Sequence, residues 1–221
     1  PNVKFLKEVR NLATKKNIVL IFDECTSGFR QCFGGLHKLI NINPDMAIFG
    51  KALGNGYAIT AILGKESIMD SAKKSFISST FWTERIGPVA ALKTLEIMER
   101  EKSWIRISYL GEKVFLIWKK LSKKHNLKIN ISGLPSLAKF SFKSKNSLAY
   151  KTFITQEMLK HKFLAADGVY LSISHNEKIL KKYSEHLDEI FYKISKCEKG
   201  NLNISNILNY PISYIPFKRL N

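Results

Sequence analysis

Two side chains stand where chemistry is possible, Asp23 and Lys51. Asp23 closes the apolar run Ile18-Val19-Leu20-Ile21-Phe22. A carboxylate at the end of such a run is costly to bury unless a cation meets it. Lys51 lies within Phe49-Gly50-Lys51-Ala52-Leu53-Gly54, a small, apolar, glycine-lined setting. Desolvation favours the neutral amine and frees it as a nucleophile. One nucleophilic lysine and one buried aspartate are what pyridoxal phosphate needs. The lysine forms the Schiff base, and the aspartate pairs with the protonated ring nitrogen and keeps the ring an electron sink. Spacing alone leaves two other readings open: a structural Asp–Lys ion pair, or two unrelated surface charges.

The elements that must position these groups follow from hydrophobic period. Residues 3–16 carry apolar groups at 3, 6, 9, 12 and 13, a helical stripe. The run 18–22 reads as a buried strand fed by that helix, which suggests a parallel sheet. Met46–Phe49 is a second strand, and Ala58–Leu63 a third that leads into a helix near 65–74. Residues 85–100 predict a helix with Ala90, Ala91, Leu92, Leu95 and Met98 inward. Asp23 and Lys51 then both fall at carboxyl ends of strands, where open α/β sheets gather their chemistry.

The second half predicts α+β. A helix spans 103–125, with Trp104 and Trp118 on its apolar face. Strands follow at 129–131 and 136–142, then a helix at 152–162, a strand at 169–174 and a helix at 177–196. The expected division is 1–99, 100–200 and a tail, 201–221.

Composition narrows the classes. The chain has 221 residues, 45% of them hydrophobic, which excludes a wholly disordered chain. No apolar stretch approaches the 18 residues of a membrane span. The 36 basic residues against 18 acidic give +18, but 30 of the 36 are lysines. Base-reading surfaces favour arginine forks, so the excess reads as solvated helix faces and no nucleic-acid partner is expected. The histidines at 125, 161 and 186 read as solvated, His175 as a structural start to the last helix. Cys25, Cys32 and Cys197 form no CxxC pair and no metal spacing, so no metal is expected and a reducing, cytoplasmic setting is.

Leu20-Ile21-Phe22-Asp23-Glu24-Cys25-Thr26-Ser27-Gly28-Phe29-Arg30 and Pro44-Asp45-Met46-Ala47-Ile48-Phe49-Gly50-Lys51-Ala52-Leu53-Gly54-Asn55-Gly56-Tyr57 resemble the class III pyridoxal-phosphate aminotransferases over about residues 1–200. Phe-Trp-Thr-Glu-Arg-Ile-Gly at 81–87 is similar to members grouped with glutamate-1-semialdehyde 2,1-aminomutase. The resemblance implies a fold type I architecture: the C-terminal part of the large α/β domain, followed by a small α+β domain. It implies Lys51 as the Schiff-base lysine, Asp23 as the partner of the ring nitrogen, and Cys25, where the family usually has valine, packed on the ring face. Thr80 matches the threonine that binds the cofactor phosphate from the neighbouring subunit, which implies a homodimer with shared active sites. Glu24 takes a supporting role.

Thr26 departs from the family's usual Gln or Met, and residues 81–87 lack its common Gly-Asn-Pro. The family's Gly/Ser phosphate loop and ring-stacking aromatic are absent from these residues, so the chain is expected to be the C-terminal half of a subunit, with sheet edges left open. The implied reaction moves an amino group from an amino donor to an oxo acceptor. The alternatives are intramolecular amino transfer of the aminomutase type and an inactive truncated homologue.

Overall fold

A computed structural model describes residues 2–78, 80 and 83–214. The chain divides into two compact units, residues 1–106 and 107–221.

The first unit opens with α1 (Val3–Lys15), capped by Asn2, whose side chain accepts from the Phe5 N–H at 3.1 Å. Strand β1 (Ile21–Asp23) follows, then the short helix α2 (His37–Ile40) and strand β2 (Met46–Phe49). β1 and β2 are parallel, and β3 (Ala61–Gly64) lies antiparallel on the far side of β2. The sheet is therefore mixed. A 3-10 turn (Lys51–Leu53) follows β2, and α3 (Glu66–Met69) with a further 3-10 turn follows β3. Helix α4 (Ile86–Glu101) completes the unit.

Asp45 locks the entry to β2. Its carboxylate takes Lys65 Nζ at 2.7 Å, Arg10 Nη1 at 2.8 Å and the Leu20 backbone N–H at 2.8 Å. One side chain thus ties α1, the approach to β1 and the exit from β3. The same three bonds, with that from Lys65 strongest, hold its carboxyl far below the ordinary 3.8.

The core of this unit is small: Ala47, Phe49, Leu53 and Ala91, with Phe29, Ile59, Ala61 and Leu95 against it. Two burial expectations fail here. Ile18, Val19 and Ile21 are about half exposed, because β1 lies at the edge of the sheet, with one strand neighbour among the described residues. Leu92 is 69% exposed. In α4, Ala91, Leu95 and Met98 share a face at helical spacing, while Ile86, Val89 and Leu92 form a second stripe that looks outward.

The second unit is better filled. Most of α5 (Ser103–Lys124), with α6 (Ser147–Lys160) and α7 (Glu177–Glu198), accompanies an antiparallel sheet, β4 (Ile129–Ser132), β5 (Leu137–Phe142) and β6 (Gly168–Tyr170), in that order. Val114, Trp118, Ile154, Leu187, Phe191 and Ile194 are wholly excluded from solvent; each such burial stabilises by about 2 kcal/mol. Trp118 Nε1 donates to the Tyr183 hydroxyl at 2.9 Å, both groups buried. Gly111 lets α5 pass the Pro135 carbonyl, whose oxygen would lie 1.9 Å from any Cβ placed there.

Residues beyond α7 belong to this packing. Ile204 is buried in the core. The buried Gln156 amide donates to the Ile207 carbonyl at 2.9 Å and accepts from the Asn209 N–H at 2.7 Å. His161 is exposed as expected, whereas His125 and His186 are partly buried. His125 meets Asp188 at 2.6 Å with its side chain 9% exposed, and His161 stacks on His186 with ring centroids 3.7 Å apart. His175 Nδ1 accepts from the Ser172 N–H at 3.1 Å, just ahead of α7. Among the described residues, no helix is long and apolar enough to cross a membrane.

Candidate active site

The parallel register of β1 and β2 sets the site. Ile21 pairs with Met46 and Asp23 with Ile48. The Glu24 N–H continues the ladder to the Ile48 carbonyl at 2.8 Å. Parallel strands end on the same edge, so Asp23, the last residue of β1, and Lys51, two residues past β2, leave the sheet together.

The chain turns abruptly at Lys51. Its φ is +43°, in the left-handed region that a side chain with a Cβ enters at a cost. The turn is closed by the Leu53 N–H on the Gly50 carbonyl and the Asn55 N–H on the Lys51 carbonyl, both at 3.0 Å. These bonds fix the unusual backbone and carry the lysine away from the strand direction.

Asp23 Oδ1 accepts the Cys25 N–H at 3.0 Å. That bond, the Cys25 thiol and the charge of Lys51 hold the Asp23 carboxyl below its ordinary range. The hydrogen bond to Asp23 in turn pushes the Cys25 thiol up, so it stays a neutral, compact wall. Cys25 also lies over Gly50, where an added Cβ would sit 3.5 Å from Sγ and 3.4 Å from Thr60 Cγ2.

Lys51 and Asp23 form no ion pair. Among the described residues, the only hydrogen-bond partner of the Lys51 amine is the Thr26 hydroxyl. A structural Asp–Lys ion pair, open on sequence grounds, is thereby set aside, although the lysine is near enough for its charge to act on the carboxylate. The expected burial fails as well. Asp23 and Lys51 are both exposed, because they leave the sheet at an open edge instead of ending beneath a neighbouring layer.

Glu24 does different work. Its 3% exposure places it on the opposite side of the strand end from Asp23, as the alternation of an extended chain requires. It accepts from the Ser27 hydroxyl, from the His37 N–H at 3.0 Å and meets His37 Nδ1 at 3.1 Å. Burial pushes its carboxyl up, but the bonds from Ser27 and from the His37 and Leu36 backbone outweigh this and hold it below the ordinary range. Glu24 thereby closes the segment that carries Cys25 and Thr26. The pairing with His37 spans thirteen residues and has no signature in spacing. Thr26, read from sequence only as a departure, is the residue that meets the lysine.

Thr80 stands in an exposed turn ahead of α4. Its neighbours Ser79, Phe81 and Trp82 lie outside the described residues.

The family model for class III aminotransferases matches residues 1–197. The chain belongs to this family. It is 32% identical over 212 residues to 3-aminobutyryl-CoA aminotransferase of Cloacimonas acidaminovorans, covering 94% of this chain and 49% of that protein. It is also 32% identical over 199 residues to glutamate-1-semialdehyde 2,1-aminomutase of Sulfolobus acidocaldarius, covering 86% and 47%. The chain thus spans about half the length of the curated relatives it matches. Among solved structures, the PLP internal aldimine form of the FumI protein of Sphingopyxis sp. MTA144 superposes with a TM-score of 0.82 at 20% identity, over 94% of this chain and 50% of that one. An omega-transaminase from Sphaerobacter thermophilus gives 0.77 at 19% identity, over 86% and 48%. The architecture is that of the fold type I transaminases, as the two sequence motifs implied.

Proposed function

We propose that this class III chain carries the lysine and aspartate of a pyridoxal-phosphate-dependent aminotransferase, which passes an amino group from an amino donor to an oxo acceptor. The observation that supports this is the joint exit of Asp23 and Lys51 at one sheet edge without an ion pair between them. The donor set fits the cofactor chemically: an amine, a carboxylate held ionised, and a small thiol wall at Cys25. Bound through Lys51, pyridoxal phosphate would supply an electron sink for bonds to the substrate's amino carbon. Asp23 would hold a positive charge opposite its carboxylate. Lys51 would carry a proton to and from the substrate carbon whenever its amine is free. Thr80, exposed in its turn, would reach the cofactor phosphate of a second copy in a homodimer.

The aminomutase reading shares every one of these roles, and relatives of both kinds match the chain. They separate on stoichiometry: an absolute need for an external oxo acceptor identifies the transferase, and turnover of one substrate alone identifies the mutase.

The primary test is spectroscopic. Pyridoxal phosphate added to the protein should give an absorbance band near the visible edge that Lys51→Ala removes. Borohydride reduction followed by peptide mapping should leave the cofactor on Lys51. Absence of both signals sinks the reading.

A further inference from the structure

We infer that Thr26 is a positioning residue that keeps the Lys51 amine from collapsing onto Asp23. The inference rests on the reading above for its purpose, but on the structure for its geometry. The charge of Lys51 acts on Asp23, in an exposed site where the lysine amine has no second hydrogen-bond partner among the described residues. The simplest outcome would be an ion pair. Instead the ammonium donates to the Thr26 hydroxyl, and that hydroxyl has no other partner among the described residues.

Thr26 is itself fixed from below. It lies two residues past Glu24, whose buried carboxylate is held by Ser27 and His37. The Gly28 N–H closes the turn on the Glu24 carbonyl at 2.8 Å. Gly28 is required there, since a Cβ would fall 2.7 Å from that carbonyl oxygen and from the Phe49 ring. The hydroxyl therefore sits on a turn with little freedom. It serves two groups at once: Asp23 stays open to a cationic ring nitrogen, and the lysine has a resting place whenever its amine is uncombined. A neutral oxygen suits this task because it binds the ammonium less tightly than a carboxylate does.

The test needs no cofactor. The full chain is reductively methylated with limiting formaldehyde and cyanoborohydride, and the rate at Lys51 is read by peptide mass spectrometry against the other lysines. Thr26→Val should slow methylation at Lys51 by about threefold, the strength of an exposed ion pair gained. Thr26→Ala should do the same, Thr26→Ser should match the wild type, and Asp23→Asn in the Thr26→Val background should restore the rate. An unchanged rate in Thr26→Val and Thr26→Ala, or a loss that Asp23→Asn does not reverse, overturns the inference. Failure of pyridoxal phosphate to attach to Lys51 in the wild type would instead remove the functional reading and leave the methylation pattern to stand or fall alone.

Discussion

Asp23 and Lys51 leave adjacent parallel strands at the same edge of the sheet, and yet the lysine bonds a threonine rather than the aspartate. An ion pair would have satisfied both charges and left neither free. The arrangement has a cost, since the lysine sits in left-handed backbone and both groups face water. Sites that store strain in this way are ones whose surroundings over-determine the geometry. Here the surroundings are the two bonds that close the Lys51 turn and the Glu24 anchor beneath Thr26.

The strain at Lys51 is measurable. Its φ of +43° suits glycine and penalises any Cβ. Lys51→Gly should therefore be more stable than Lys51→Ala by about 1 kcal/mol, although both lose the amine. Urea unfolding of the two variants compares them directly. Equal stabilities would mean that the turn is not strained.

Asp45 should dominate the acid sensitivity of the first unit. Its folded carboxyl is depressed far below the ordinary 3.8 by Lys65, the Leu20 N–H and Arg10. A depressed carboxyl contributes stability that is complete above the unfolded value and lost as pH falls below it. Asp45→Asn should cost about 2 kcal/mol at neutral pH. It should also flatten the fall in melting temperature between pH 5 and pH 3, taken as roughly the range over which an ordinary aspartate titrates. A variant that retains the wild-type acid slope would place that sensitivity elsewhere.

The Trp118–Tyr183 bond should be worth more than its single hydrogen bond. Tyr183→Phe leaves the Trp118 N–H buried without its acceptor, which costs about 1–3 kcal/mol. Burial already holds the Tyr183 hydroxyl protonated well above its ordinary 10, so the loss should be the same at pH 7 and pH 9. Thermal melts at both values check this.

The convergence of Asp23 and Lys51 is legible in sequence because the two motifs that carry them are local. A strand ending in Asp-Glu and a glycine-flanked lysine can each be read within a dozen residues, and the carboxyl-end rule brings them to one edge. The burial of those residues was not legible. The period of 18–22 says only that the run is apolar, and nothing in it distinguishes a central strand from an edge. Leu92 faces outward because α4 carries two adjacent apolar stripes, and period alone does not choose between them. The partners of Glu24, His125 and Gln156 lie 13, 63 and more than 50 residues away, so each required the fold. Thr26 carries no local signal of its role, because its partner Lys51 lies 25 residues away and meets it only through the fold.

The Gln156 amide grips residues 207 and 209 as a neighbouring strand would, giving one proton and taking one. A polar group sealed in this way has no water to fall back on. Anyone who trims the gene to residue 197, where the family match stops, would therefore cut away two of the hydrogen bonds of a buried amide, leaving it the Glu157 carboxylate, along with the Ile204 plug. Shortened versions built on that boundary should express as sticky, half-melted protein, with the defect seated in the second unit.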